Sequence, residues 1–500
     1  MTSIKRLAGQ TVIYGIPTIV GRFLQYALVI PLTRIFSPPQ YGTISVFYAY
    51  ASFLMVILTY GMETAFFRFS EKETDKDSVF STGLISLLIT SFSFTFLAGI
   101  FSGTVSGWTG YPDHPEYVIW FSWILGLDAV AAIPFARLRS QNKAVRFAVI
   151  KMINILTNVG LTLFFIMLCP YAWKNNQSLH SLLGLVYRPD WGIEYVFIAN
   201  LVASILTLGL LSPMIFRMRW KMNNELWRRM LVYALPLLFA GLAGMVNETF
   251  DRLLLRYLLP MSKTLAEGQV GIYSACYKIS ILITLFVQAY RFAAEPFFFT
   301  HAKEKDSRLL YAHIMDYFII SICTVFLFTM LYLDDIILRI MIGKVFRGGK
   351  GVIPVLMFAN IFLGIYYNLS IWYKLTGKTM WGAWFSLVGA IITLVLNFWW
   401  IPLGPGHLIY GYIGSAWATF ICYGSMMVLA YLIGQKYYPI PYNLMKIMGY
   451  IAFALLIYIV SSNVHISHIF PRITFNTGLL MTFLLTAFLI EKPRQVKASD

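Results

Sequence analysis

Apolar stretches follow one another along almost the whole chain, and only short polar segments separate them. A helix needs about 20 residues to cross about 30 Å of hydrocarbon, and a membrane interior offers no water to open backbone groups. Each stretch is therefore predicted to be a membrane-spanning helix, and the protein to be an all-α integral membrane protein. The roughly fourteen predicted spans cover residues 10–36, 41–67, 78–103, 115–136, 145–169, 192–216, 230–257, 268–299, 310–334, 352–374, 379–402, 407–434, 443–462 and 470–490.

Three sets of matching residues recur in the same order in the two halves of the first twelve predicted helices. They are Tyr14 and Pro17 with Tyr233 and Pro236; Gln40, Gly42, Ser45 and Tyr48 with Gln269, Gly271, Ser274 and Tyr277; and Lys143 and Pro170 with Lys378 and Pro402. This recurrence predicts a duplicated six-helix unit. Because six is an even number, both units enter the membrane with the same polarity. Two lobes in a parallel, pseudo-twofold repeat about the membrane normal are therefore expected.

The duplication predicts four parts of the chain. They are an N-terminal lobe at 1–217 with helices 1 to 6, a basic cytoplasmic linker at 218–229, a C-terminal lobe at 230–435 with helices 7 to 12, and helices 13 and 14 with a cytoplasmic tail at 436–500. The last two helices lie outside the repeat, which therefore leaves their role unexplained.

Composition supports a membrane protein, since 58% of the residues are hydrophobic, 12% are charged and the mean hydropathy is +0.69. The net charge of +17 does not indicate nucleic acid, because most Lys and Arg residues fall on one side of the predicted spans. This asymmetry places both termini in the cytoplasm. The basic segment 339–350 is an exception on the other side. The four cysteines lie in or beside apolar helices and show neither a disulfide framework nor a metal-binding spacing.

Charged residues inside the spans are the strongest functional signal. A charge at the bilayer centre costs roughly 2.5–3.5 kcal/mol, so such residues normally face a watery interior. Arg22 is a candidate to bind phosphate, because a guanidinium can hold phosphate oxygens in a bidentate manner. Lys278 is the second candidate. For Arg22 an alternative stays open: an ion pair with an acid on a neighbouring helix, or hydrogen bonds to backbone carbonyls. A salt bridge between helices stays open for Lys278.

Further polar residues are candidates for sugar contact and for ion coupling or gating. On helix 7 the spacing of Glu248 and Arg252 is that of an i, i+4 pair, which suits an ion-pair network as well as direct ligand contact. Arg291 and Glu295 suit an inner gate, and ordinary helix packing remains an alternative for the isolated acids and the tyrosines. The candidates for sugar contact are Gln25, Tyr48, Asn247 and Tyr277. The candidates for coupling or gating are Glu63, Asp128, Glu248, Asp251, Arg291, Glu295 and Asp316.

No nucleotide site is predicted. The Gly-Lys-Thr sequence at 377–379 lies in a short turn and lacks the upstream glycine of a P-loop. No cofactor is expected, and the energy source of a transporter built this way would be a coupling H⁺ or Na⁺.

Short motifs carry a family resemblance. They are Gly21-Arg-Phe-Leu24, Pro31-Leu-Thr-Arg-Ile-Phe36, Pro39-Gln-Tyr-Gly42, Glu295-Pro-Phe-Phe298, Gly411-Tyr-Ile-Gly-Ser-Ala416 and Tyr438-Pro-Ile-Pro-Tyr442. With the helix number and the duplication, they resemble the polysaccharide (O-antigen type) flippases of the multidrug/oligosaccharidyl-lipid/polysaccharide (MOP) exporter superfamily.

The resemblance implies a flippase, not an enzyme, in the bacterial cytoplasmic (inner) membrane. Such a protein moves a polyprenyl-diphosphate-linked oligosaccharide from the cytoplasmic to the periplasmic leaflet by alternating access, for surface polysaccharide such as the lipopolysaccharide O-antigen. Its cationic cavity lies between two lobes and is lined by helices 1, 2, 7 and 8. Arg22 matches the family's first-helix position, so the resemblance implies that it binds the diphosphate. Lys278 and Arg252 correspond to diphosphate-binding residues by position only. The implied partners are the lipid-linked glycan, membrane lipid and a polysaccharide polymerase, and the protein is expected to be a monomer.

Several alternatives stay open. Lipid II flippases carry more basic residues on the second helix, which here is neutral until Glu63. A cation-coupled multidrug exporter favours acids without the central Arg22 and Lys278. A polysaccharide polymerase needs a sizeable outer loop, whereas the longest here, at 170–191, is short. A channel or scaffold would not need a duplicated charged core.

Overall fold

The computed structural model describes residues 20–175, 180–302, 304, 306–404 and 406–491. The predicted helix 10–36 therefore begins outside the described residues, as do the Tyr14 and Pro17 positions of the repeat, and the end of the tail also lies outside them. Within the described ranges every regular element is helical. The predicted all-α class is confirmed.

The helices are numbered α1 to α14 in chain order. They are α1 at residues 20–27 and Val29–Ile35, α2 at Pro38–Thr59 and Met62–Lys72, α3 Lys76–Ile100, α4 Pro115–Ser140, α5 Ala144–Leu163, α6 Glu194–Phe216, α7 Asn224–Leu258, α8 Lys263–His301, α9 Ser307–Leu331, α10 Val352–Leu369, α11 Met380–Trp400, α12 Gly411–Tyr437, α13 Leu444–Asn463 and α14 Ile469–Glu491. Connecting segments carry short helices at Ser102–Thr109, Cys169–Asn175, His180–Leu183, Leu338–Met341 and Lys344–Gly349. In the described part of the chain, 13 helices, α2 to α14, are long and apolar enough to cross a membrane.

Side-chain caps mark several helix starts. Ser37 and Gln40 form a capping box at the start of α2, with the Ser37 N–H donating to Gln40 Oε1 at 3.0 Å. Asn223 caps α7 by accepting a hydrogen bond from the Leu226 N–H. These caps satisfy backbone donors that the first turn of a helix leaves open.

Helix α2 is broken at Tyr60 and Gly61, both of which have positive φ, at 32° and 72°. A side chain at Gly61 would place its Cβ 2.9 Å from the carbonyl oxygen of Ala234 on α7. Glycine is therefore required here by the backbone conformation and by the close helix. The break directs the second part of α2, with Met62 and Phe66, into an apolar core that also contains residues of α3, α4 and α7.

The described chain divides into two compact units. The first unit comprises Met1–Ser274 and Thr393–Ser415, and the second comprises Ala275–Ile392 and Ala416–Asp500. The first thus contains α1 to α7, the beginning of α8, the end of α11 and the first residues of α12. The second contains the rest of α8, the first part of α11, most of α12, and the helices α9, α10, α13 and α14. The predicted six-helix lobes stay a prediction.

Candidate functional site

Arg22 belongs to a polar cluster in the first unit, which we call the Arg22 cluster. Its members are Arg22 and Tyr26 on α1 and Glu248 and Arg252 on α7. Arg22 is half-buried and hydrogen-bonds to the phenol of Tyr26, one helical turn away. The phenol also lies close enough to Glu248 and Arg252 to interact with their charges. Among the described residues, no carboxylate lies within 4.0 Å of the Arg22 guanidinium. The predicted sugar contact Gln25 is exposed on the same helix.

Arg252 is held more firmly than Arg22. Its side chain is 11% exposed, and one guanidinium nitrogen lies 3.3 Å from Asp251 Oδ1 and 3.0 Å from the backbone carbonyl oxygen of Glu248. The ion pair of Arg252 is thus with Asp251 rather than with the Glu248 carboxylate. Asp251 also accepts a hydrogen bond from Tyr273 at 2.6 Å, and Asn247 Oδ1 accepts one from Thr393 at 3.3 Å. Asn247 and Asp251 are buried in the first unit.

A buried ion pair between α7 and α8 was not predicted. The Arg256 side chain is 2% exposed, and its guanidinium donates to Glu267 Oε1 at 2.9 and 3.1 Å and to the Thr109 carbonyl. It also lies 4.3 Å over the ring of Tyr111. Burial raises the pKa of Tyr111, so its neutral phenol leaves Glu267 as the counter-ion of Arg256. An Arg at the end of one helix and a Glu at the start of the next is the sequence signal for this pair.

Beside this ion pair, α2 and α8 cross at two glycines, which we call the glycine contact. A Cβ on Gly42 would lie 2.0 Å from the carbonyl oxygen of Glu267, and a Cβ on Gly271 would lie 2.0 Å from that of Pro38. Pro38 and Glu267 have the same numerical offset as the repeated residues Gly42 and Gly271. The contact is therefore reciprocal with respect to the sequence repeat.

Hydroxyl groups continue the contact between α2 and α7. The hydroxyls of Tyr50 and Tyr257 lie 2.5 Å apart, and those of Ser52 and Thr249 lie 3.2 Å apart. The N-terminal half of the chain is thus joined to α7 and α8, within the first unit, by polar contacts and by close backbone packing.

Tyr48 and Asp128 have other neighbours in the first unit. The Tyr48 hydroxyl accepts a hydrogen bond from Asn200 at 3.1 Å, and its ring packs edge-on against Phe121 at 5.6 Å. Asp128 lies near Lys151 and Ser204. These contacts join α2, α4, α5 and α6, and they favour helix packing over sugar contact for Tyr48.

Glu63 is in an ion pair with Arg139 of α4. The Arg139 guanidinium also lies 5.0 Å from the ring centre of Phe67. The pair lies at the α2 end opposite the glycine contact, where a second ion pair joins Arg137 to Asp77 at 2.5 Å.

In the second unit, Arg291 and Glu295 form the ion pair that their spacing predicts, at 3.2 Å. Glu295 also accepts from Lys374 at 2.7 Å, and Arg291 lies 4.1 Å over the ring of Tyr367. Two further predicted residues of this unit lie on α8, where Tyr277 is buried and Lys278 is half-buried, and each takes part in a polar, ring or electrostatic contact.

Asp316 lies in an ion-pair network that connects α9 to the last two helices. Lys446 at the start of α13 lies 2.9 Å from Asp316 and 2.7 Å from Glu491 at the end of α14. At the other end of α14, Arg472 pairs with Asp335, and Asn476 donates to the Leu331 carbonyl at 2.6 Å. These contacts hold α14 at both ends and α13 at its start, an arrangement that the repeat did not reveal.

Within the described ranges, no group of three or more His, Cys, Asp or Glu side chains is placed to hold a metal ion. The predicted site residues are thus distributed over both units. Arg22, Glu248, Asp251 and Arg252 come together in the first, whereas Lys278, Arg291, Glu295 and Asp316 lie in the second. Sequence reasoning missed Arg256 with Glu267, and Lys446 with Glu491.

Solved structures share this fold. The lipid II flippase MurJ in an inward closed conformation is similar with a TM-score of 0.70 and 14% identity, over 96% of this chain and 99% of that one. An inward-facing multidrug resistance MATE family transporter of the MOP superfamily has a TM-score of 0.62 and 14% identity, over 87% and 97%. A MOP superfamily transporter from Pyrococcus furiosus has a TM-score of 0.58 and 13% identity, over 86% and 95%.

The fold and the 13 candidate spans identify a multi-pass membrane protein. Among curated protein sequences, none matches this chain. The model of a family described as "Polysaccharide biosynthesis protein" matches residues 7–301, more than half of the chain. This match and the shared fold confirm the resemblance to the polysaccharide flippases of the MOP superfamily. The chain therefore belongs to the polysaccharide biosynthesis protein family.

Proposed function

We propose that the protein is a flippase that moves a polyprenyl-diphosphate-linked oligosaccharide from the cytoplasmic to the periplasmic leaflet of the bacterial cytoplasmic membrane. The observation that carries this proposal is Arg22, a half-buried guanidinium on a helix next to α2 that has no carboxylate within 4.0 Å among the described residues. The family description supports a role in polysaccharide synthesis. The similar fold of a lipid II flippase supports a lipid-linked substrate.

Charge explains why such a substrate needs a protein. A diphosphate cannot enter hydrocarbon without a large desolvation cost, whereas the polyprenyl tail is itself a hydrocarbon and stays in the lipid. Arg22 and Lys278 hold the diphosphate in this proposal, and Arg252 contributes less because Asp251 already neutralises it. The two six-helix lobes alternate the side to which the headgroup route opens. The contacts around Gly42 and Arg256 close the periplasmic side.

Glu248 is the acid that we assign to coupling with H⁺ or Na⁺. Asp251 is engaged by Arg252 and Tyr273, and Asp316 is engaged by Lys446. Glu248 is exposed and, within the described ranges, makes no ion pair. Because it belongs to the Arg22 cluster, a cation bound to its carboxylate would change the local charge that a diphosphate meets.

Glu248→Gln is expected to retain substrate binding but to lose the response of flipping to an ion gradient, because the amide cannot bind a proton or exchange a cation. Flipping of a fluorescent lipid-linked glycan would be measured in vesicles with imposed proton or sodium gradients. Glu71→Gln, at an exposed site at the end of α2, is the matched control. A Glu248→Gln protein that still responds to the same gradient as the wild type would refute this assignment.

A deletion strain tests the function itself. Completed lipid-linked repeat units are expected to accumulate on the cytoplasmic side, because the headgroup has no other route across. Mass spectrometry would identify the units, and a membrane-impermeant glycosidase applied to intact spheroplasts would locate them. Complementation with the wild-type gene is the control. Accumulation on the outer side would instead indicate a polymerase and would rule out the flippase.

A further inference from the structure

A cavity of about 600 Å³ lies in the first unit, and no member of the Arg22 cluster is among its lining residues. It is lined by α2, α3, α4 and the short helix Ser102–Thr109, with Phe47, Leu54, Phe94, Phe101 and Phe121 among its walls. Neither the diphosphate route nor the ion coupling proposed above uses it.

The walls of this cavity are uncharged. Its lining hydroxyls are largely satisfied by the protein, since Ser122 donates to the Ile119 carbonyl at 2.8 Å and Thr109 donates to the Ser106 carbonyl at 3.1 Å. Tyr50 is engaged by Tyr257. The cavity therefore presents hydrocarbon and aromatic surface and offers little to a sugar, a phosphate or an ion.

The cavity is open to the surface of the unit on a side that is apolar. Phe101 and Trp108 at its edge are 54% and 76% exposed. These residues adjoin membrane-spanning helices, so the medium that meets this opening is lipid rather than water. A dry apolar cavity of only roughly 150 Å³ already binds benzene, so a space several times larger is expected to be filled.

The cavity lies along two membrane-spanning helices. Its lining runs from Phe47 to Leu54 on α2 and from Phe94 to Phe101 on α3. Each of these stretches rises about 10 Å at 1.5 Å per residue. An apolar space of this length takes up part of a flexible hydrocarbon chain, which can bend to fill it.

The rim identifies the kind of lipid. Tyr50, Trp108 and Thr109 line the cavity, and the Tyr257 hydroxyl lies beside Tyr50 and the Trp108 carbonyl. Tyrosine and tryptophan are typical of the membrane–water interface. Arg256 is the cation at this rim, and Glu267 neutralises it. A polyprenyl diphosphate would need uncompensated cations here, whereas the glycerol ester region of a phospholipid needs only neutral hydroxyl and backbone groups.

We propose that this cavity binds one acyl chain of a bilayer phospholipid, with the glycerol ester region at the exposed edge formed by Trp108. The lipid is a bound component of the first unit rather than the transported substrate, so the inference does not depend on the proposed function. The chain fills the space between α2, α3 and α4 and supports the short helix that supplies Thr109 to Arg256.

Photolabelling tests this site. The protein would be purified in detergent and labelled with phosphatidylethanolamine that carries a diazirine in one acyl chain, and labelled peptides would be mapped by mass spectrometry. Label is expected to concentrate on residues 47–54, 94–105 and 118–125 and to be displaced by unlabelled phosphatidylethanolamine. Labelling spread evenly over all apolar surfaces would overturn the site. Displacement by a polyprenyl phosphate but not by phospholipid would overturn the choice of occupant.

A cavity-filling variant adds a second measurement. Ala98→Trp places a large side chain in the cavity wall and is expected to lower the labelling of these peptides severalfold. Ile391→Trp, on the exposed apolar face of α11, is the matched control and is expected to leave it unchanged. Undiminished labelling in a folded Ala98→Trp protein would contradict the proposal. If that variant fails to fold, the displacement experiment on the wild type still decides.

Discussion

Gly42→Ala is expected to reduce flipping about tenfold or more, although alanine is the better helix former. The new Cβ would lie 2.0 Å from the carbonyl oxygen of Glu267, which is backbone and cannot rotate away. Helices α2 and α8 must then separate where they now touch. A clash that destabilises the closed state by about 1.4 kcal/mol lowers its population tenfold. This cost exceeds the free-energy gain of about 1 kcal/mol that alanine brings to a helix interior. In alternating access, a periplasmic side that cannot close prevents the substrate from being loaded from the cytoplasm.

Gly244→Ala on α7 is the matched control, since no atom outside its own helical turn lies within 4 Å of the place that its Cβ would take. Flipping in vesicles would be measured together with thermal stability and with cross-linking of Trp108→Cys to Tyr257→Cys by a short bismaleimide, in a background without the native cysteines. The linker takes the place of the tyrosine side chain, whose hydroxyl lies 3.4 Å from the Trp108 carbonyl. A stable Gly42→Ala protein with a low cross-linking yield indicates an opened contact. Wild-type flipping by Gly42→Ala would show that the glycine contact is not needed for closure.

The hydrophobic pattern was sufficient to predict the helices because each must satisfy its backbone internally and match the membrane thickness. Their ends were less accurate, since hydropathy does not register a cap or a break. The predicted span 41–67 is two helical segments, because Gly61 adopts positive φ against Ala234 of α7. That break depends on a partner far away in the sequence, so a local pattern could not show it.

The candidate site shows the same division between local and distant information. The turn spacing of Arg291 and Glu295 predicted their ion pair correctly, because four residues place two side chains on one helix face. The same rule on α7 suggested Glu248 for Arg252, whereas the ion pair in the structure is with Asp251. Ion-pair partners on other helices could not be predicted from local spacing, as with Lys446 and Asp316. The repeat identified Gly42 and Gly271 as equivalent, but only the structure shows that equivalent residues touch.

Arg22→Ala is expected to reduce flipping about a hundredfold at equal protein level. A hydrogen bond to a charged group contributes roughly 1.5–3 kcal/mol. Loss of the two hydrogen bonds of a bidentate contact, about 3 kcal/mol in total, corresponds to about a hundredfold loss of flipping. Arg22→Lys retains the charge without the planar fork, so it should recover part of the activity. Arg146→Ala, at an exposed site on α5, should behave as the wild type.

A structural role for Arg22 would give a different pattern. If its hydrogen bond to Tyr26 only stabilises α1, Tyr26→Phe should impair flipping as much as Arg22→Ala, and both should lower thermal stability. If Arg22 binds the diphosphate, Tyr26→Phe should have a small effect, and only Arg22→Ala should weaken competition by inorganic pyrophosphate for the lipid-linked substrate. Because Arg22 has no carboxylate within 4.0 Å among the described residues, removing its charge leaves no buried acid unpaired there. A loss of flipping at unchanged stability would therefore be due to the missing phosphate ligand.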